Sequence, residues 1–104
     1  MRSLFVIVGV LRVVLAVPEA HSLKDKRSVV KGIKDRLGHR HNVSVAEVES
    51  MDNHRRAVLG LAMVANDARF VQGCLDKIVD EIRMARGAVL VDYGTEMMHG
   101  QFDD

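Results

Sequence analysis

Lys24, Arg27, Lys31 and Lys34 recur at intervals of three, four and three residues. On a helix that spacing aligns four cations in one stripe, and a cationic stripe can track a phosphate backbone. Lys26, Arg36 and Arg40, with His39 and His41, add to the local positive field. Asp25 and Asp35 dilute the stripe without breaking it. A run of this kind also suits an ordinary solvated helix face, so residue type alone leaves both readings open. On the binding reading, Lys24, Lys26, Arg27, Lys31, Lys34 and Arg40 are the expected nucleic-acid contacts, with no DNA specificity implied.

The other reactive side chains lack the company that chemistry needs. His39 and His41 sit two apart in a Gly-His-Arg-His turn, without the i, i+4 pairing that sets two imidazoles on one helix face. No metal site is expected there. Cys74 falls in an apolar helical stripe, where a thiol behaves as a small hydrophobe rather than a nucleophile. Glu47 and Glu49 alternate onto one face of a strand, but Val48, Ser50 and Met51 offer no pocket to raise either pKa. No nucleophile, base and orienting group come together, so no catalytic residues and no cofactor are expected. Residues 56–63 hold no aromatic ring. If the chain meets RNA, its sheet is not the stacking platform.

The elements that would carry these residues follow from patterning. Residues 3–17 are β-branched and apolar and stop at Pro18, which reads as a long strand. Ser22 offers a helix N-cap with Asp25 as an imperfect capping-box partner. Leu23, Val30, Ile33 and Leu37 then recur at helical spacing, and Gly38 is the expected stop. Strands are expected over 42–49 and 56–65, joined through the Asp/Asn chemistry of residues 51–54. Asn66 or Asp67 caps a second helix with a broad stripe that includes Phe70, Val71, Cys74, Leu75 and Ile78. Gly87 precedes a last strand at about 88–95, and the segment from Met97 onward shows no period.

Two strand–helix–strand units with right-handed crossovers give the ferredoxin-like α/β sandwich, βαββαβ: a four-stranded antiparallel sheet with both helices on one face. The expected organisation is one domain over residues 1–96 and a flexible tail over 97–104. Its open sheet face should be polar. Here Val58, Gly60, Ala62 and Val64 oppose Ala57, Leu59, Leu61 and Met63, so both faces of the third strand are apolar. An apolar face of that extent is expected to be covered, most simply by a second copy meeting it at Val58, Ala62 and Val64.

The chain has 104 residues, 48% of them hydrophobic and 28% charged, which suits one globular domain. Its formal net charge of +1 conceals an asymmetry. Residues 1–56 carry 11 Lys/Arg against 6 Asp/Glu, a net of +5, and residues 57–104 carry 4 against 8, a net of −4. One cysteine excludes an internal disulfide framework. The apolar amino-terminal run is broken by Arg12, is too short to span a membrane, and would place Pro18 at −3 of any cleavage after Ala20. A buried strand in a cytoplasmic protein is therefore expected, and the Asn42-Val43-Ser44 sequon is incidental.

Val8-Gly9-Val10-Leu11-Arg12, Ser22-Leu23-Lys24-Asp25-Lys26-Arg27, Asn42 to Val48 and the Asn66-Asp67 pair resemble the YlxP-like family of small bacterial proteins of unknown function. The resemblance spans about residues 5–85 in order and spacing. It implies a ferredoxin-like fold and, because the family's genes often sit among translation genes, an association with RNA or a ribosomal particle. It implies no catalytic residues. The Ser-Leu-Lys-Asp-Lys-Arg motif coincides with the basic stripe, which singles out Lys24, Lys26, Arg27 and Lys31. The motif could equally serve to cap and orient the helix. The expected function is a non-enzymatic accessory protein contacting RNA through its first helix. The alternative is a sheet-mediated homodimeric interaction module or small-ligand regulatory module.

Overall fold

The computed structural model describes residues 2–103; Met1 and Asp104, the outermost positions of the domain and tail expected above, lie outside the described residues. The order is β1 (Ser3–Ala16), α1 (Leu23–Arg40), β2 (Ser44–Glu49), β3 (Arg56–Ala65), α2 (Ala68–Arg83) and β4 (Val89–Asp103). The strands form one antiparallel sheet in the order β2-β3-β1-β4, which is the ferredoxin-like arrangement. Beta-branched residues are concentrated in the central strand β1, while its central neighbour β3 is built mostly of Ala, Leu, Gly and Met with two valines.

Register decides which side chains meet the helices. Leu11 faces Leu61, Val13 faces Leu59 and Leu15 faces Ala57 across the β1–β3 ladder, and all six are buried. Val30, Ile33 and Leu37 of α1 and Val71, Leu75 and Ile78 of α2 close the core from one side. The second helix comes closest at Gly9, where a Cβ would stand 2.3 Å from Cγ1 of Val71. Only glycine admits that approach. Gly87, at φ 81°, makes the turn into β4 in the left-handed region.

Two boundaries and the burial of one residue differ from the sequence expectation. The first helix runs through Gly38 to Arg40 and is capped by His41, whose N–H donates to the carbonyl of Leu37. Gly38 is exposed and costs the helix only about 1 kcal/mol, which the packing of Leu37 on one side of it offsets. The last strand does not end near 95. It pairs with β1 as far as Ser3↔Asp103, so residues 97–103 are strand rather than an irregular tail. Phe70 is exposed rather than part of the α2 core stripe.

The long β1–β4 ladder draws the molecule out to 58 × 23 × 22 Å. Among the described residues no helix is long and apolar enough to cross a membrane.

Candidate cationic face and the buried lysine beneath it

Ser22 begins the site. Its hydroxyl accepts a hydrogen bond from the Asp25 backbone N–H at 3.1 Å, and the Asp25 carboxylate accepts from the His21 N–H at 2.9 Å. One orphan donor of the first turn and the N–H just before the cap are thereby satisfied, and the carboxylate sits at the positive end of the helix dipole. The cap fixes where α1 begins, and burial of Val30, Ile33 and Leu37 fixes its rotation and with it the side to which each lysine points.

Lys26 points inward. Its side chain is 0% exposed, and its ammonium donates to Oε2 of Glu47 at 2.8 Å and to the carbonyls of Ser50, Met51 and Arg56 at 2.8, 3.3 and 3.2 Å. An ammonium with no partner could not stay in such a place. Here one carboxylate neutralises it and three carbonyls complete its shell, tying α1 to β2 and to both ends of the loop between β2 and β3. Ser50 holds φ 64° in that loop, and its hydroxyl accepts from Nε of Arg56 at 3.1 Å. Lys26 is therefore a structural residue, and its expected role as a nucleic-acid contact is corrected.

The remaining stripe stays outside. Lys24, Arg27 and Lys31 are exposed and Lys34 is half-buried. Arg27, Lys31 and Lys34 line a groove of about 430 Å³ together with Val30, Asp35 and Glu47. Lys31 donates to the Asp35 carboxylate one turn on. That hydrogen bond, together with the positive charges of Lys31, His39 and Lys34, holds the Asp35 carboxyl below the usual carboxylate range. Lys24, Arg27 and Lys34 make no ion pair among the described residues.

Arg40 lies apart from the groove, at the far end of α1. Its guanidinium stands 3.6 Å from Glu81 of α2, and Nε2 of His41 lies 3.0 Å from both oxygens of the same carboxylate. These contacts pin the two helices together at their carboxy-terminal ends. Cys74 is half-buried at the edge of the core.

On the open face of the sheet, Val58 is 1% exposed, buried within the chain itself and closed to a partner. Ala62 and Val64 are exposed. Beside Ala62 runs a shallow apolar groove of about 280 Å³, lined by Val10, Ala46, Val48, Gly60 and Ala62.

Reading the sequence as a cationic stripe missed the inward role of Lys26, although a signal was present. Lys26, Val30, Ile33 and Leu37 are spaced by four, three and four residues, so Lys26 belongs to the buried phase of the helix. Glu47 likewise shares the core-facing phase of β2 with Val45.

The family described as Protein of unknown function (DUF503) matches residues 8–95. Over 48 residues the chain is 40% identical to a protein of Bacillus subtilis (strain 168) described as Uncharacterized protein YlxP. That stretch is 46% of this chain and 52% of the relative, so the match spans about half the length of the curated protein. Among solved structures, the de novo designed protein Foldit4 aligns with a TM-score of 0.47 at 14% identity, covering 95% of this chain and 98% of that one. A C-terminal segment of the alpha subunit of aIF2 from Pyrococcus abyssi aligns with a TM-score of 0.45 at 16% identity, covering 96% of this chain and 52% of that one. At those values neither structural likeness carries an argument.

Proposed function

This chain belongs to the family described as Protein of unknown function (DUF503), and on that premise we propose that it is a non-enzymatic accessory protein that contacts RNA, free or on a ribosomal particle. The observation that carries this reading is the groove beside α1. Three cations, Arg27, Lys31 and Lys34, line it, and Lys24 lies one turn beyond on the same stripe. Of its two carboxylates, Glu47 is neutralised from beneath by Lys26 and Asp35 is held by Lys31. Buried neutralisation of Glu47 removes the charge that would most oppose a phosphate backbone at this place. The same pairing speaks for binding rather than catalysis, since neither carboxylate is left to move a proton.

Co-sedimentation with purified ribosomal particles and with bare RNA tests the reading. The protein is expected to travel with RNA at low salt and to be released at high salt. Arg27→Glu with Lys34→Glu should abolish the association while leaving the circular dichroism spectrum unchanged. A protein that stays in the supernatant at low salt, or a charge-reversed variant that sediments as well as the parent, would contradict it.

A second reading is favoured by the apolar groove beside Ala62. An apolar groove of this kind, flanked on the same face by the exposed Arg12–Asp92 pair, suits an interaction module that buries it against a partner, or closes it over a small apolar ligand. The groove is shallow, which favours a flat partner over an enclosed ligand.

A further inference from the structure

All three phenylalanines of the chain lie on its surface, Phe5, Phe70 and Phe102 being 50%, 60% and 57% exposed. Phenylalanine is among the residue types most often buried, so three exposed rings ask for an explanation. They gather at one end of the molecule. Phe5 and Phe102 stand on the ribbon where residues 3–6 of β1 pair with residues 100–103 of β4. Phe70 lies in the first turn of α2, one residue before the Val71 that rests on Gly9. Leu4, Val6 and Met98 are exposed at the same end.

The ribbon has a bare edge. The β1–β3 ladder starts at Ile7↔Ala65, so over residues 3–6 the side of β1 that would face β3 has no strand beside it among the described residues. Ser3, Leu4, Phe5 and Val6 carry no charge, and neither a lysine nor a proline guards this edge. Proteins that keep an edge strand unpaired usually place one there.

We propose that this edge is where a second copy of the chain pairs, β1 against β1, joining two ribbons into one four-stranded sheet. Self-pairing fixes the register. Only a two-fold axis normal to the sheet sets β1 antiparallel to its own copy, and that axis must pass through a residue that faces itself. Centred on Phe5, it would put Ser3 opposite Ile7 of the second copy, in the place held by that copy's Ala65. Centred on Leu4, it pairs Leu4 with Leu4 and Ser3 with Phe5, and every existing β3 contact is kept.

The Leu4 register also aligns the exposed side chains. Leu4 lies opposite Phe102, and side chains of opposed residues share a face. A row of Phe102, Leu4, Leu4 and Phe102 then crosses all four strands. Phe102 is already laid along its strand, over Gly100, where a Cβ would stand 3.1 Å from the ring. The shared edge is short, about 10 Å for the three residues Ser3 to Phe5 of each copy. A contact of that size forms a dimer of micromolar rather than nanomolar affinity.

Sedimentation velocity over a concentration series, with site-directed cross-linking of the full chain, tests this. The parent is expected to pass from monomer to dimer in the micromolar range, and Leu4→Lys, at an exposed site, to weaken the dimer at least about tenfold. In a Cys74→Ala background, Leu4→Cys should oxidise to a disulfide-linked dimer, because facing residues of an antiparallel pair bring their Cα atoms to about 5 Å. Ala62→Cys, on the open sheet face, should not. A parent that stays monomeric at high micromolar concentration overturns the proposal and leaves the edge to a foreign strand. So does a dimer indifferent to Leu4→Lys, or one that cross-links through position 62 and not through position 4.

Discussion

Replacing Lys26 with methionine keeps the length and most of the volume of the side chain and deletes its charge and donors. Glu47, whose side chain is only 18% exposed, would lose its counter-charge, and the carbonyls of Ser50, Met51 and Arg56 would lose a common donor. Removing one member of a buried ion pair costs about 3–5 kcal/mol, and each buried carbonyl left unsatisfied adds about 1–3 kcal/mol unless water reaches it. The loop carrying Ser50 and Met51 borders solvent, so water can satisfy part of that set. Lys26→Met is therefore expected to lose about 3–5 kcal/mol, a large fraction of the roughly 5–15 kcal/mol that holds a domain folded. Urea unfolding followed by circular dichroism reads the loss directly. Lys24→Met, two residues away and exposed, is the control and should change stability by less than about 0.5 kcal/mol. Adding Glu47→Met to Lys26→Met should recover about 1–3 kcal/mol, since the orphaned charge is gone while the carbonyls stay short of a donor. If Lys26→Met costs no more than Lys24→Met, or if the two changes simply add, the reasoning about this lysine is wrong.

Two further outcomes follow from the packing and the exposed ion pair. Gly9→Ala forces a Cβ against Val71 and should destabilise the domain by about 1–3 kcal/mol, with Val71→Ala relieving part of the clash in the double variant, as unfolding curves will show. Asp35 should titrate below the ordinary carboxylate range by NMR, chiefly because Lys31 donates to it, and Lys31→Met should move it back up. The sign follows from linkage: a depressed folded-state pKa contributes stability above the unfolded value and loses it as pH falls through the folded one. The contribution of this solvent-exposed pair is present at neutral pH and lost on the acid limb, and that acid-limb loss should be absent from Lys31→Met.

The elements were legible because their patterns were local and consistent. A β-branched run marked β1, an unbroken apolar run marked β3, the caps at Ser22 and Asp67 marked both helices, and Gly87 marked the last turn. What escaped notice depended on tertiary partners. Residues 97–103 contain few β-branched side chains, and their strand exists because β1 extends to Ser3 and offers an edge. Phe70 looked like core from its type, yet it sits off the phase shared by Val71, Leu75, Ile78 and Ile82. Lys26 reads as a cationic contact beside the stripe by its type, but it belongs to the buried phase of α1 with Val30, Ile33 and Leu37. Val58 suggested an open-face contact from strand alternation alone, which says nothing of burial by the rest of the chain.

On the proposed function, Lys26 of the motif serves the fold while Lys24 and Arg27 beside it face a polyanion. This division of roles is tested most directly by the salt dependence of RNA affinity, measured by fluorescence anisotropy on a single-stranded oligonucleotide. Contacts from Lys24, Arg27, Lys31 and Lys34 predict a log–log slope of about −3, at roughly −0.7 per phosphate. Replacing Arg27, Lys31 and Lys34 with alanine should flatten the slope by about 2. Affinity that ignores salt, or a slope that survives the triple replacement unchanged, would contradict it.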